Sequence, residues 1–319
     1  MAVHAFVFPG QGSQAVGMGR DLAAAFAPAR EVFEEVDETL QQKLSKLMFE
    51  GPGDELTLTE NAQPALMAHS LAVLRVLERD GGVRLADRAI CVAGHSLGEY
   101  SALAAAGAFR LGDAARLLRL RGQAMQKAVP AGAGAMAALL GAELDLARAV
   151  CAAASVTPEG GHEVIDPAND NGGGQVVVSG ARAAVERAIE IARGRGVKRA
   201  MLLPVSAPFH CALMAPAADA MAEALERTPP TSPAVPLIAN VSAAKAIDPA
   251  EIVRLLVAQV TQTVRWRESV QTMIALGADC FVEFGAGKVL TGLIRRIAPD
   301  AAATAVGSPA EIEAFLKSL

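Results

Sequence analysis

The sequence predicts an α/β protein: a mainly parallel sheet with helices on both faces, interrupted by an inserted ferredoxin-like subdomain. Two observations support this fold class. Apolar strand patterns alternate with helical patterns over most of the 319 residues, and such alternation indicates a parallel sheet. Only 4% of the residues are aromatic, while alanine runs such as DLAAAFAPAR recur. This composition favours Ala-rich helices over a β-sandwich.

Strand and helix patterns alternate from the start of the chain to Pro130. In order, they are a strand at HAFVF, helical patterns at about 20–50 and 61–80, a strand in ADRAICVAG, and helices at 97–108 and 112–128. The loop PGQGSQ follows the first strand.

The middle of the chain shows the element order β-α-β-β-α-β, which is the ferredoxin-like pattern. Its segments are GAMAALLG, LDLARAVCAAAS, HEVIDPAND, GQVVVSG, ARAAVERAIEIARGRG and VKRAMLLPV. We therefore predict a small subdomain over residues 129–205, inserted into a large one formed by residues 1–128 and 206–319. The large subdomain is predicted to resume at SAPFHCALM, pass through a strand near PLIANV, and finish with DCFVEFGAGKVLTGLIRRI.

Composition excludes several classes of protein. The net charge of −5 argues against a nucleic-acid binder. The first apolar run stops at Pro9 without a basic leader, and no stretch of about 18 apolar residues follows, so we expect neither a signal peptide nor contact with a membrane. The four cysteines are far apart, with no CxxC pair or metal-ligand spacing. We expect a cytoplasmic protein with reduced thiols and no bound metal.

Ser96 is the candidate nucleophile, in the segment AGHSLGEYSAL. Gly94 and Gly98 flank it, between a predicted strand and a predicted helix. Small residues at these positions allow the sharp turn of a nucleophile elbow, which exposes the serine hydroxyl at the start of a helix. An ordinary tight turn is the alternative interpretation.

A serine needs a base, and the chain has five histidines. His95 adjoins Ser96 on the strand, so we expect it to support the elbow from beneath. His210 lies in a loop between a strand and a helix, where ligands collect in α/β sheets, and it is the preferred base. A capping or buried structural role is the alternative. No Asp or Glu stands out as its partner, so a carboxylate triad and a dyad oriented by a neutral carbonyl both remain open.

Backbone N–H groups must also bind the oxygen that becomes negative in acyl transfer. The N–H of Leu97, directly after the nucleophile, is one candidate. A second lies at Gln11, where Gly10 and Gly12 permit close approach of the backbone. A plain glycine-rich turn would have the same local sequence.

Arg121 lies on the apolar side of helix 112–128, whereas Arg116 and Arg119 fall on the opposite side. A guanidinium among apolar neighbours must be paired or is costly to bury. A structural salt bridge, a side chain that reaches the surface, and a bidentate clamp for a substrate carboxylate all fit this position.

With these residues, the sequence resembles the malonyl-CoA:acyl-carrier-protein transacylases of bacterial fatty acid synthesis and the acyltransferase domains of polyketide synthases. The resemblance spans the chain, through FVFPGQGSQ, AGHSLGEYSAL, RGQAMQKAVP, GAMAALLG, PVSAPFHCALM and GAGKVLTGL. It implies an α/β-hydrolase-like core that carries a ferredoxin-like subdomain.

The resemblance also implies residue roles. Ser96 would be acylated, His210 would be its base, and Arg121 would hold the malonyl carboxylate, with Gln11 and Leu97 as the oxyanion hole. Gln259 matches the glutamine whose carbonyl orients the histidine. Asn169 and Asn171 match asparagines near the thioester arm, although NGGGQ here replaces the family's usual Asn-Ser-Pro-x-Gln.

The implied reaction is ping-pong transfer of malonyl from malonyl-CoA to the phosphopantetheine thiol of acyl carrier protein, without metal or redox cofactor, and we expect a monomer. A polyketide acyltransferase, a serine hydrolase or thioesterase, and a non-catalytic interaction protein are the alternatives. Two basic clusters are candidate docking sites for the acidic carrier protein. The C-terminal cluster consists of Lys288, Arg295 and Arg296. The first cluster consists of Arg193, Arg195, Lys198 and Arg199, and we interpret it as solvated surface charge.

Overall fold

Two separate β-sheets organise the molecule in the computed structural model, which describes residues 3–319. The strands, in chain order, are β1 (His4–Phe8), β2 (Ala89–Gly94), β3 (Gly134–Leu140), β4 (Ile165–Asp170), β5 (Gln175–Ala181), β6 (Arg199–Leu202), β7 (Leu237–Ile238), β8 (Lys245–Ala246), β9 (Cys280–Phe284) and β10 (Ala302–Val306).

Helices connect most of these strands, the exceptions being the links from β4 to β5 and from β7 to β8. They are α1 (Arg20–Ala25), α2 (Ala27–Leu40), α3 (Leu44–Glu50), α4 (Gly53–Thr57), α5 (Thr59–Arg79), α6 (Leu85–Arg88), α7 (Gly98–Ala105), α8 (Leu111–Lys127), α9 (Leu144–Ala154), α10 (Arg182–Gly194), α11 (Ala215–Arg227), α12 (Pro249–Gln259), α13 (Trp266–Ala275), α14 (Val289–Ile297) and α15 (Pro309–Ser318).

The larger sheet has the strand order β10-β9-β1-β2-β7-β8. All neighbouring pairs are parallel except β7 and β8 at one edge. The side chains of β1 alternate between two cores: Phe6 and Phe8 pack on the side of α5, and Ala5 and Val7 on the side of α13 and α14. Both faces are therefore apolar, as is usual for parallel sheets covered by helices on both sides.

The smaller sheet is antiparallel, with the order β4-β5-β3-β6. One face packs against α9 and α10 in a core that includes Leu139 and Val178. On the other face, Met136 and Val177 join the core of the large unit. The predicted α/β class, with a mainly parallel sheet and a separate β-α-β-β-α-β unit, is confirmed.

Three details differ from the sequence prediction. The strand predicted near PLIANV is only the two-residue β7, and the long helical pattern at 20–50 is divided into α1, α2 and α3. The chain also does not finish with α14, because β10 and α15 follow it. The strand β10 was missed because its alternation of alanine with Thr304 and Val306 gives a weak hydrophobic pattern.

Within residues 3–319, every helix is too short or too polar to cross a membrane.

Candidate active site

Ser96 lies in the sharp turn between β2 and α7. Its φ of 55° is in the left-handed region, which non-glycine residues rarely adopt and which is common at strained functional turns. A Cβ added at Gly94 would lie 1.9 Å from the carbonyl carbon of Gly98, and one at Gly98 would lie 2.3 Å from the carbonyl oxygen of Phe8. Only glycine fits either position, so this turn has the geometry of a nucleophile elbow.

His210 meets this serine from the loop before α11. Its Nε2 lies 2.7 Å from Ser96 Oγ, and its Nδ1 lies 2.7 Å from the backbone carbonyl oxygen of Gln259. A carbonyl oxygen only accepts, so Nδ1 carries the proton and Nε2 is free to accept one from Ser96. Of the two arrangements that the sequence left open, the structure contains the one with a neutral carbonyl.

Burial, followed by the nearby charge of Arg121, lowers the pKa of His210 to about 3. The imidazole is therefore neutral at physiological pH, which is the form required of a general base.

Arg121 is 1% exposed and lies beside the nucleophile. Its guanidinium donates to Gln63 Oε1 at 2.8 Å, Gln259 Oε1 at 2.8 Å and Ser96 Oγ at 3.1 Å. The Tyr100 ring lies 5.9 Å below the guanidinium carbon. Of the three interpretations of this buried arginine, the side chain that reaches the surface is thus wrong, because the guanidinium is enclosed and ends at Ser96.

The other arginines of α8 point outward. Arg116 pairs with Asp113, and Arg119 donates to Gln42 and Asn61 at the edge of the helix. The helical periodicity of this segment therefore separated the fully buried Arg121 from the exposed Arg116 and the half-buried Arg119.

The candidate oxyanion-binding residues Leu97 and Gln11 line the same cavity as Ser96. Leu97 is at the N-terminus of α7, and Gln11 is held by a hydrogen bond of 3.0 Å from Thr59 Oγ1 to its side-chain oxygen. Among the described residues, the backbone N–H groups of Leu97 and Gln11 have no hydrogen-bond partner. Both are thus available to bind an oxyanion.

A cavity of about 380 Å³ joins these groups. Side chains from both units line it, including Met125 of α8, Met136 and Val177 of the small sheet, and Val289 and Leu293 of α14. Much of the lining is apolar, with polar side chains around Ser96 and at Asn169, Asn171 and Gln175, so a small acyl group with a flexible arm fits it better than a large polar ligand.

The two candidate asparagines line the same cavity. Asn169 is buried beside Val264, and Asn171 Oδ1 lies 2.9 Å from His95 Nε2. The prediction that His95 lies beneath the elbow is wrong, because β2 ends at Gly94, so strand alternation does not extend to His95, whose side chain lines the cavity. All three glycines of the NGGGQ loop have a positive φ, so its path differs from one that contains proline, whose φ is near −65°.

Sequence reasoning missed three polar residues of this site. Gln63, Glu99 and Asn240 are each at most 3% exposed and hydrogen-bond to Arg121, Gln259 and Ser96, respectively. Glu99 had a usable signal, because it is an acidic residue on a helix that is otherwise apolar. Asn240 lies just after the short strand β7, and no feature of its local sequence pointed to a role in the site.

The two basic clusters lie on different elements of the fold. Lys288, Arg295 and Arg296 surround the residues of α14 that line it, and Arg296 also reaches Gln175 at the cavity edge. Lys288 is paired with Glu311. The first cluster begins in the last turn of α10, where Arg193 pairs with Glu190, and continues to Arg199 in β6.

Across residues 3–319, no three side chains among His, Cys, Asp and Glu are grouped so as to hold a metal ion. The four cysteines are unpaired.

Comparison with known proteins gives consistent results. The model of the acyl transferase domain family matches residues 5–308. The malonyl CoA-acyl carrier protein transacylase of Bacillus subtilis is 46% identical, over 100% of this chain and 98% of its own. The crystal structure of acyl-carrier-protein-S-malonyltransferase from Bartonella henselae is 56% identical over 99% of each chain, with a TM-score of 0.95.

A solved complex of a type II polyketide synthase acyl-carrier protein with its malonyl-transacylase is similar as well, at 41% identity over 100% of both chains and a TM-score of 0.94. The family match covers most of the chain, and the serine elbow, its histidine and the buried arginine lie within the matched segment. This chain therefore belongs to the acyl transferase family.

Proposed function

We propose that this chain transfers the malonyl group from malonyl-CoA to the phosphopantetheine thiol of acyl carrier protein, through a malonyl ester on Ser96, and so supplies malonyl-carrier protein for fatty acid synthesis. One observation carries the proposal: the buried Arg121 guanidinium lies 3.1 Å from the nucleophilic oxygen. An acyl group attached to that oxygen brings a carboxylate two carbons further on within reach of a fixed cation.

In the first half-reaction, Ser96 Oγ attacks the thioester carbonyl and His210 Nε2 takes its proton. The N–H groups of Leu97 and Gln11 bind the oxyanion. When the tetrahedral intermediate collapses, the C–S bond breaks and His210 returns the proton to the departing CoA sulfur.

In the second half-reaction, the carrier thiol enters the vacated arm site. His210 takes the thiol proton while sulfur attacks the malonyl ester, and the proton returns to Ser96 Oγ as the C–O bond breaks. No electrons are exchanged, and the thioester is already activated, so the reaction as written uses no cofactor. The nucleophile, the base and both oxyanion donors come from this one chain.

Arg121 makes this scheme selective. In the free enzyme it donates to Ser96 and to two amide oxygens. A malonyl carboxylate offers stronger, charge-assisted acceptors, whereas an acetyl group leaves the arginine facing only neutral partners. Asn169 and Asn171, at the cavity edge, are proposed to contact the thioester arm.

The fold supports this scheme. We propose that residues 1–128 and 206–319 form an α/β-hydrolase-like catalytic subdomain, and that residues 129–205 form the ferredoxin-like one. The elbow and the base belong to the first, and Met136 and Val177 of the second close the cavity opposite them.

Incubation with malonyl-CoA followed by intact mass measurement tests the proposal. A transferase accumulates one malonyl adduct, which Ser96→Ala abolishes and which purified carrier protein discharges. Steady release of free malonate at the rate of CoA release would instead identify a hydrolase. A chain that does neither is an interaction protein.

A further inference from the structure

Glu99 is a buried carboxylate to which the proposed chemistry gives no role. It lies in the first turn of α7, three residues after Ser96, and is 1% exposed. A buried carboxylate is costly unless its oxygens are hydrogen-bonded, so its contacts indicate what it stabilises.

Each oxygen of Glu99 accepts from a different segment of the active site. One accepts the backbone N–H of Asn240 at 2.5 Å, and the other accepts from the side-chain nitrogen of Gln259. Asn240 in turn accepts the backbone N–H of Ser96 at 2.8 Å. Gln259 accepts from Arg121 at 2.8 Å and orients His210 through its backbone carbonyl.

The side-chain amide of Gln259 has only one orientation that suits Arg121. A guanidinium only donates, so the amide oxygen must face it, and the amide nitrogen must then find acceptors on the opposite side. Those acceptors are the carboxylate of Glu99, the backbone carbonyl of Ser96 at 2.9 Å and Asn240 Oδ1 at 3.2 Å. Glu99 is the carboxylate among these three acceptors, so its loss removes the strongest contact that keeps the amide oxygen toward Arg121.

Charge favours the same arrangement. The three hydrogen-bond partners that the structure gives the Arg121 guanidinium are all neutral. Glu99 is the anion connected to it, through one amide. Burial raises the pKa of Glu99, whereas the N–H groups of Asn240 and Gln259 and the charge of Arg121 act in the opposite direction and favour the ionised form. Because both Glu99 oxygens face N–H donors, the ionised form is the one that fits.

We propose that Glu99 is a positioning residue for acyl selectivity: by holding the Gln259 amide with its oxygen toward Arg121, it keeps the guanidinium in place for the carboxylate of the acyl group. This inference rests on the proposed malonyl transfer. Glu99 itself touches neither the substrate nor the reacting atoms.

Glu99→Gln is the sharpest test, because it keeps the shape and removes one acceptor. If the new amide oxygen faces Asn240, its nitrogen meets the nitrogen of Gln259; in the other orientation, its nitrogen meets the N–H of Asn240. Either way two donors face each other. We expect the ratio of kcat/KM for malonyl-CoA to that for acetyl-CoA to fall about 10- to 100-fold, with acetyl transfer largely retained. Glu99→Asp keeps both acceptors on a shorter arm and should retain more of the ratio.

Glu283→Gln is the matched control. Glu283 is also fully buried, but it accepts from the backbone N–H groups of Leu290 and Thr291 at the start of α14. This variant should lower the melting temperature without changing the malonyl-to-acetyl ratio. Circular dichroism and retained acetyl transfer establish that each variant is folded.

The outcomes separate this inference from the proposed function. A wild-type chain that takes up no malonyl group overturns the proposed function and this inference with it. A wild-type chain that prefers malonyl, together with a folded Glu99→Gln that keeps that preference, overturns the inference alone. Equal losses for both donors in Glu99→Gln also overturn it, since they would mark a purely structural residue.

Discussion

The polar centre around Ser96 and the core of the small sheet are equally buried but use opposite kinds of side chain. Arg121, Gln259 and Glu99 are each at most 1% exposed, as are Leu139 and Val178 in the small core. Apolar burial stabilises the fold directly. Polar burial costs free energy unless every group finds a partner, so it persists where the surrounding fold holds it in place.

The positive φ of Ser96 and of His210 adds backbone strain to the polar centre. Changes there should therefore alter rate and selectivity with little loss of stability. Changes in the small core should do the reverse. The predictions below test this contrast, from the largest expected effect to the smallest.

Loss of the nucleophile should have the largest effect. Ser96→Ala should abolish the malonyl adduct, and His210→Ala should slow its formation severely, because the two side chains act as one unit and their losses do not add. Intact mass and single-turnover rates measure both. If the double variant is slower than Ser96→Ala by a large factor, the shared role is wrong.

Arg121→Ala should lower kcat/KM for malonyl transfer by about 10²–10³, because it removes a charge-assisted contact of roughly 2–4 kcal/mol. Acetyl transfer should be spared or should rise. Arg121→Lys should recover malonyl transfer only in part, since a point charge lacks the planar fork. Both donors are assayed on protein of known melting temperature, and parallel loss of the two activities would contradict the clamp.

Leu139→Ala tests the other side of the contrast. Leu139 is 0% exposed in the small core, so the truncation should destabilise the protein by about 2–5 kcal/mol. Urea unfolding measures this loss. At a temperature where the variant is folded, its malonyl-to-acetyl ratio should equal that of the wild type. A changed ratio would show that the two regions are coupled.

The pH dependence of stability should report the buried base. The pKa of His210 is about 3 in the folded chain and about 6.5 when unfolded. The unfolded state therefore binds one more proton between these values, and stability falls as the pH drops through this window. The free energy of unfolding should therefore change with pH by about 1.4 kcal/mol per pH unit more than it does in His210→Asn, whose side chain cannot titrate. Urea unfolding of both proteins from pH 6 to 4.5 measures this difference. Equal pH dependence in the two proteins would contradict a lowered pKa of His210 in the folded chain.

The smallest effect is expected at the surface. Reversal of charge in Arg295→Glu/Arg296→Glu should raise the KM for acyl carrier protein but not that for malonyl-CoA. The matched control is Arg193→Glu/Arg195→Glu in the first cluster, which should change neither. Equal effects on both substrates would count against a carrier-specific surface near α14.

The elements that the sequence determined are those with a strong local pattern. Both central parallel strands, the whole β-α-β-β-α-β unit and the buried side of α8 follow from periodicities of two and 3.6 residues. The elbow was also readable, because Gly94 and Gly98 lie two residues before and after Ser96 in the sequence, although Gly98 packs against the distant Phe8. The short β7 and the alanine-rich β10 were not, since their side chains carry little hydrophobic contrast.

The tertiary structure alone decided how the site is connected. The contact between Ser96 and His210 spans 114 residues, and that between Arg121 and Gln259 spans 138, so no local pattern reports either distance. The resemblance to a known family suggested the participants, but not that Glu99 would meet the amide of Gln259. Hydrogen bonding is directional and short-ranged, so the partners of a buried polar group emerge only when distant segments pack together.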